Sequence, residues 1–187
     1  MDNVGILYSD FNCPFCYAMH ERLYEMSLLD RCDWRGVQHA PYLPKPMARW
    51  SGTAGAELAH EVQMVQRLAP GLVISLPLGK PNTRLAIEWA ASLLRQDVAR
   101  GMEFVRQAYR AFWCEGRDLS DPSILQQLAG ESAIDGEAEE SHRIVQAWET
   151  AWHETGQAGV PLLISPEGNQ LVGCVSVEEI RRFMHTD

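Results

Sequence analysis

Val4-Gly5-Ile6-Leu7-Tyr8-Ser9-Asp10-Phe11-Asn12-Cys13-Pro14-Phe15-Cys16 decides the reading of this chain. Val4 to Tyr8 is a short, nearly continuous apolar run, the pattern of a strand buried on both faces. Ser9-Asp10-Phe11-Asn12 breaks it. From Pro14 to about Leu29 the residues Phe15, Met19, Leu23 and Met26 recur at helical spacing. Pro14 falls in the first turn, where its missing N–H is harmless. Two cysteines therefore stand where a strand hands over to a helix.

That junction favours thiol chemistry. Disulfide exchange needs a thiolate, and a free thiol with a pKa of ~8.5 is mostly protonated at neutral pH. A helix N-terminus offers unpaired N–H groups and the positive end of the macrodipole, both of which stabilise a thiolate at Cys13. Cys16 lies one turn further in, is expected to be more buried, and is spaced to attack a mixed disulfide at Cys13. Pro14 stiffens the loop, and Phe15 presents an apolar surface to a substrate without adding charge. Two other readings compete: half of a zinc site, and a pair with no chemistry. Zinc wants four ligands and there is no second CxxC; His20, on the same helix, is expected to pack or to face solvent. No metal is expected.

Outward from the motif, Asp33 to Ala40 reads as a second strand, and Pro41, Pro44 and Pro46 then end regular structure. Helical patterns follow over Thr53–Ala69, from Thr83 as N-cap to about Gln96, over Ala99–Glu115, from Asp121-Pro122 onward, and over Glu137–Thr155. Leu76 to Asn82 reads as a loop. Strand signals return only at Leu162-Leu163-Ile164 and Gln170-Leu171-Val172, flanking the turn Pro166-Glu167-Gly168-Asn169. Ser176-Val177-Glu178-Glu179 is a capping box that opens a last helix to about Met184. The order is βαβ, a helical block, then ββα. The expected fold is α/β and thioredoxin-like, with residues 1–46 and 151–187 forming one four-stranded core. Residues 47–150 form a large all-helical insertion, expected to pack over the CxxC end with Leu76 and Leu78 on its wall.

Composition sets the frame. The chain has 187 residues, 46% hydrophobic and 22% charged, with a net charge of −9. These are globular values. The acidic balance argues against nucleic acid or an anionic membrane as partner. Nothing approaches the roughly 18 apolar residues of a membrane span. Met1-Asp2-Asn3-Val4 carries no signal-peptide pattern, so a cytoplasmic protein is expected. Five cysteines, an odd and sparse set, are not a disulfide framework.

A second signal is Gly159-Val160-Pro161-Leu162, just before the third strand. An X-Pro bond takes the cis form at modest cost, and a cis bond here turns the Val160 backbone toward the cysteines, where it can hold an extended substrate.

Together, Ser9-Asp10-Phe11-Asn12-Cys13-Pro14-Phe15-Cys16-Tyr17, Pro81-Asn82-Thr83, Glu115-Gly116-Arg117-Asp118-Leu119 and Gly159-Val160-Pro161 resemble the DsbA-like thioredoxin-fold oxidoreductases. The nearest branch is similar to the cytoplasmic FrnE-like proteins and to the 2-hydroxychromene-2-carboxylate isomerases, relatives of kappa-class glutathione transferases. The resemblance spans nearly the whole chain. It implies Cys13 and Cys16 as the redox pair and Pro161 as the cis-proline. The isomerases usually carry serine where Cys13 stands, so two cysteines favour redox chemistry. Leu162 departs from the threonine or small residue common in relatives.

The leading expectation is thus a protein-disulfide oxidoreductase. It acts on protein or small-molecule disulfides and thiols, has no bound cofactor, and has glutathione as a possible redox partner. The competing expectations are a glutathione-dependent isomerase or transferase, which has no need of Cys16, and a binding module, which needs neither thiol. Asp10 is a candidate either to perturb the thiolate or to make an ordinary turn. Cys32, Cys114 and Cys174 read as small apolar residues. The six tryptophans read as core, and His39, His60, His142, His153 and His185 form no spaced metal motif.

Overall fold

The structure, a computed structural model, describes residues 4–130 and 138–184. Met1, Asp2, Asn3, Glu137 and His185, on which parts of the sequence reading fall, lie outside the described residues.

The chain runs β1 (Gly5–Ser9), α1 (Pro14–Glu25), a single 3-10 turn (Leu29–Arg31) and β2 (Cys32–Gly36). Five helices follow: α2 (Ala54–Leu68), α3 (Arg84–Gln96), α4 (Val98–Trp113), α5 (Pro122–Ala129) and α6 (Ala138–Glu154). β3 (Leu162–Ile164), β4 (Gln170–Val172) and α7 (Val177–Met184) complete it. This is the expected βαβ, helical block and ββα, a thioredoxin-like core with an inserted helical subdomain.

The sheet order is β2-β1-β3-β4. β1 pairs parallel with β2 and antiparallel with β3, which pairs antiparallel with β4. β1 is therefore central, and its apolar run is explained by cover on both faces. Leu7, with Trp34 and Leu163, enters the main core with α1. Its neighbour Tyr8 enters a smaller one with Val37, Leu162 and Trp152 of α6. The period-two alternation of a strand separates the two. α6 runs through residue 150, where the sequence reading placed a boundary, and its last turn brings Trp152 against the strands.

Three elements differ from expectation for local reasons. α1 stops at Glu25 rather than near Leu29. Ser27 adopts a left-handed φ of 55°, Ser27 N–H donates to the Tyr24 carbonyl (3.0 Å), and Leu28 N–H donates to the Leu23 carbonyl (2.8 Å). That is a Schellman closure with serine in the place usually held by glycine, and the burial of Leu28 seals it. β2 ends at Gly36, not Ala40, because its partner β1 ends at Ser9 in register with Gly36. Thr83 does precede α3, but its side chain makes no cap bond; the hydroxyl is used elsewhere.

Other caps match the sequence chemistry. Asp121 accepts from Ser123 N–H at 2.8 Å, with Pro122 at the first helical position. Ser176 and Glu179 form the reciprocal capping box: Ser176 N–H donates to Glu179 Oε2 (2.9 Å) and Glu179 N–H to Ser176 Oγ (3.2 Å). No helix among the described residues is long and apolar enough to cross a membrane.

Candidate active site

Cys13 is the N-cap residue of α1, in extended conformation (φ −101°, ψ 119°), and Pro14 is the first helical residue. The backbone turn that presents it is closed by Cys13 N–H donating to the Asp10 carbonyl at 3.3 Å. Cys13 is 6% exposed, Cys16 0%. The order of access expected from the sequence holds, although both thiols are more enclosed than a surface motif would be. Phe15 is half-buried at the edge of the main core.

The Val160–Pro161 peptide bond is cis. The Cys13 Sγ–H donates to the Val160 carbonyl at 3.5 Å, and the Pro161 carbonyl accepts from Gly173 N–H at 2.8 Å. The structure thus brings Cys13, Pro14, Phe15, Cys16, Val160 and Pro161 together. A second cis bond, Lys45–Pro46, lies in the loop after β2.

The two thiols have opposite electrostatics. Burial acts to raise the Cys13 pKa, but the Cys16 S–H and N–H hydrogen bonds, with positive charge at His39 and Lys80, outweigh it and leave the thiol lowered. Cys16 is pushed well up, by burial first and then by the hydrogen bond and charge of Cys13. The Ser9 hydroxyl and the Asp10 N–H, 3.4 Å from Cys16 Sγ, pull the other way without offsetting this. Beneath them Ser9 Oγ lies 2.6 Å from Tyr109 Oη, a fully buried pair. The site therefore pairs a thiol that is lowered with one that is raised.

Residues from the helical block complete the surroundings. Asn12 Nδ2 donates to the Pro81 carbonyl (2.9 Å), and Trp113 Nε1 to the Phe11 carbonyl (2.9 Å). Leu76 and Leu78, in the same loop as Lys80 and Pro81, are 47% and 61% exposed. Asp10, fully buried, accepts from Thr83 Oγ1 (2.7 Å) on one carboxylate oxygen. Its other oxygen meets His39 Nδ1 (2.7 Å) and His39 N–H (3.0 Å). The sequence reading missed His39 and Lys80 as charges acting on Cys13, and Thr83 as a partner of Asp10, since each arrives from another part of the chain. The available signals were Asp10, three residues before the motif, and the Pro81-Asn82-Thr83 stretch.

None of the remaining cysteines is in a disulfide. Cys32 is buried, and its thiol is pushed up to about 12 by that burial. Cys114 lies 3.4 Å from Tyr17 Oη. Half-buried Cys174 accepts from Arg22 Nη1 at 3.3 Å. His20 is fully buried against Tyr109, with ring centroids 5.1 Å apart.

The model of the DSBA-like thioredoxin domain matches residues 6–185. A Nitrosomonas europaea protein assigned to the disulfide isomerases superposes with a TM-score of 0.80 at 15% identity, over 100% of this chain and 97% of that one. The cytosolic disulfide reductase DsbM of Pseudomonas aeruginosa, solved with GSH, gives 0.63 at 16% identity over 97% and 93%. The Bacillus subtilis protein YwbO is 23% identical over 136 residues, 70% of this chain and 66% of that relative's length. These likenesses speak to the fold, and it is the family model, spanning almost the whole chain with the cysteine pair inside it, that places the sequence: the chain belongs to the DSBA-like thioredoxin domain family.

Proposed function

We propose that this chain is a thiol–disulfide oxidoreductase in which Cys13 is the attacking thiolate and Cys16 the resolving thiol. The observation that carries the reading is the placement of the pair: Cys13 caps α1 with its Sγ 3.5 Å from the Val160 carbonyl, and Cys16 lies one turn inside, fully buried. The lowered Cys13 thiol and raised Cys16 thiol agree with it. The Cys13 thiolate attacks one sulfur of a substrate disulfide. A Cys13–substrate disulfide forms, and the other substrate sulfur leaves as a thiolate. Cys16 then loses its proton and attacks Cys13 Sγ, forming the Cys13–Cys16 disulfide and releasing the second substrate thiolate; two electrons pass to the substrate. The reverse sequence oxidises a dithiol.

Pro14 and Phe15 on one side, and the Val160 backbone with Pro161 on the other, are the substrate contacts in this reading. The Val160 carbonyl that now receives the Cys13 thiol is an acceptor for an extended substrate backbone. Substrates are protein or small-molecule disulfides and thiols. Glutathione fits as the small-thiol partner, and a cytoplasmic, FrnE-like setting fits a sparse, odd set of five cysteines. Reduction of an insulin-type disulfide, followed by turbidity with wild type and Cys13→Ser, tests the reading. Loss of turnover in the variant supports it. Retained turnover removes the activity from this site, and glutathione-dependent isomerisation without disulfide turnover moves the protein to the isomerase class.

A further inference from the structure

The Cys13-Pro14-Phe15-Cys16 loop contains no positive charge, yet the buried carboxylate next to it is tied to an imidazole from another element. His39 sits three residues past the end of β2 with its side chain 26% exposed. It is clamped twice by one oxygen, through its ring Nδ1 at 2.7 Å and its backbone N–H at 3.0 Å from Asp10 Oδ2. Asp10 is in turn fixed to both cysteines by its backbone: its carbonyl accepts from Cys13 N–H and its N–H donates to Cys16 Sγ. Its second carboxylate oxygen is held by Thr83. A single residue thus fixes where the imidazole stands relative to the pair.

We propose that His39, clamped by Asp10, is a positioning cation for the cysteine pair: its protonated ring supplies, from the end of β2, the positive charge that Pro14 and Phe15 do not, and so holds the Cys13 thiolate. This rests on the exchange reading above. His39 contacts Asp10 and interacts electrostatically with Cys13 and Lys80. Cys13 interacts electrostatically with Cys16, His39 and Lys80, and also with Tyr109 and Cys174. Burial acts to strip the proton from His39, but the hydrogen bond and charge of Asp10, then the Cys13 thiolate, outweigh it, so the ring retains its proton more readily than a free histidine. Lys80 acts against this and also favours the thiolate, so it shares the task without duplicating the clamp.

Linkage makes the device readable. If protonated His39 favours the Cys13 thiolate, the thiolate must favour the His39 proton by the same amount. When Cys13 and Cys16 join as a disulfide, having passed two electrons to a substrate disulfide, that negative charge disappears. His39 then keeps Asp10 alone as anionic partner.

Peptide-resolved iodoacetamide labelling of Cys13 across pH, in reduced wild type, His39→Gln and His39→Lys, tests this together with NMR titration of the wild-type His39 ring in both redox states. Expected are an upward shift of the Cys13 labelling midpoint in His39→Gln, with labelling at neutral pH slowed roughly threefold or more, and a wild-type-like profile in His39→Lys. The His39 ring is expected to titrate higher in the reduced protein than in the disulfide form. An unmoved Cys13 midpoint in His39→Gln, equal shifts in both variants, or a His39 titration indifferent to redox state overturns the proposal. The NMR arm needs no variant to fold. A wild-type Cys13 midpoint at or above that of a free thiol would sink the exchange reading itself, whereas a low midpoint indifferent to His39 sinks only the role of His39.

Discussion

Trp113 donates its indole N–H to the carbonyl of Phe11 at 2.9 Å, across 102 residues of sequence. Both side chains are fully buried, and Phe11 lies two residues before Cys13. The last residue of α4 therefore fixes the loop that presents the cysteine pair. Trp113→Phe keeps an aromatic ring but removes that donor, leaving a buried carbonyl short of a partner. The expected loss is about 1–3 kcal/mol, measured as a lowered denaturation midpoint at unchanged slope. An unchanged midpoint would mean the bond contributes nothing to the loop.

Glu21, on the far side of α1, is 7% exposed in its side chain and accepts from Arg106 Nε (2.9 Å) and Nη2 (3.1 Å), with Arg110 at 3.7 Å. Burial acts to raise its pKa, but the neighbouring His20 ring and the Arg106 guanidinium outweigh this and hold it at about 2. A carboxylate depressed in the folded state stabilises the protein above its unfolded pKa of ~4.3, and that contribution is lost as pH falls toward the folded value. The arginines are partly solvated, which reduces the gain. Glu21→Gln is expected to cost about 1–2 kcal/mol at neutral pH and to flatten the acid limb of the stability profile. A variant as stable as wild type at neutral pH, with the same acid limb, contradicts this.

Gly101 sets two effects against each other. Alanine is favoured over glycine in a helix by ~1 kcal/mol. A Cβ on Gly101 would, however, stand 2.6 Å from the backbone N and Cα of Leu94, where α4 turns back on α3. Backbone cannot move aside as a side-chain tip can, so overpacking is expected to win. Gly101→Ala should lower stability by about 1–3 kcal/mol. A raised melting temperature would show that propensity dominates.

Much of this is legible in the sequence because it is local chemistry. The Ser176/Glu179 box, the Asp121-Pro122 start and the strands 162–164 and 170–172 each depend on residues a few positions apart. The Cys13–Cys16 junction was legible for the same reason. What escaped the sequence depends on distant pairings. His39 meets Asp10 only because β1 and β2 run parallel in register and finish together at Ser9 and Gly36. Thr83 reads as a cap from its neighbours, yet its hydroxyl serves a carboxylate 73 residues away. The early end of α1 rests on a left-handed serine, which carries none of the glycine signal that marks such closures.

The two thiols are expected to label differently in the folded, reduced protein. Cys13 should reach half-maximal alkylation below the pH of a free thiol, with Cys16 unreactive over the same range. Peptide-resolved mass spectrometry after brief labelling reads both sites at once. Equal labelling of the two, or Cys16 ahead of Cys13, would contradict the assigned roles.

The central claim is the division of labour between those thiols, and trapping tests it most directly. Purified Cys16→Ser is mixed with a disulfide substrate, quenched with acid, and examined by intact and peptide mass spectrometry without reductant. The account predicts a substrate adduct that accumulates on Cys13 and is released by added dithiol, while Cys13→Ser forms none. Turnover of the substrate by Cys16→Ser at the wild-type rate with no Cys13 adduct would contradict it.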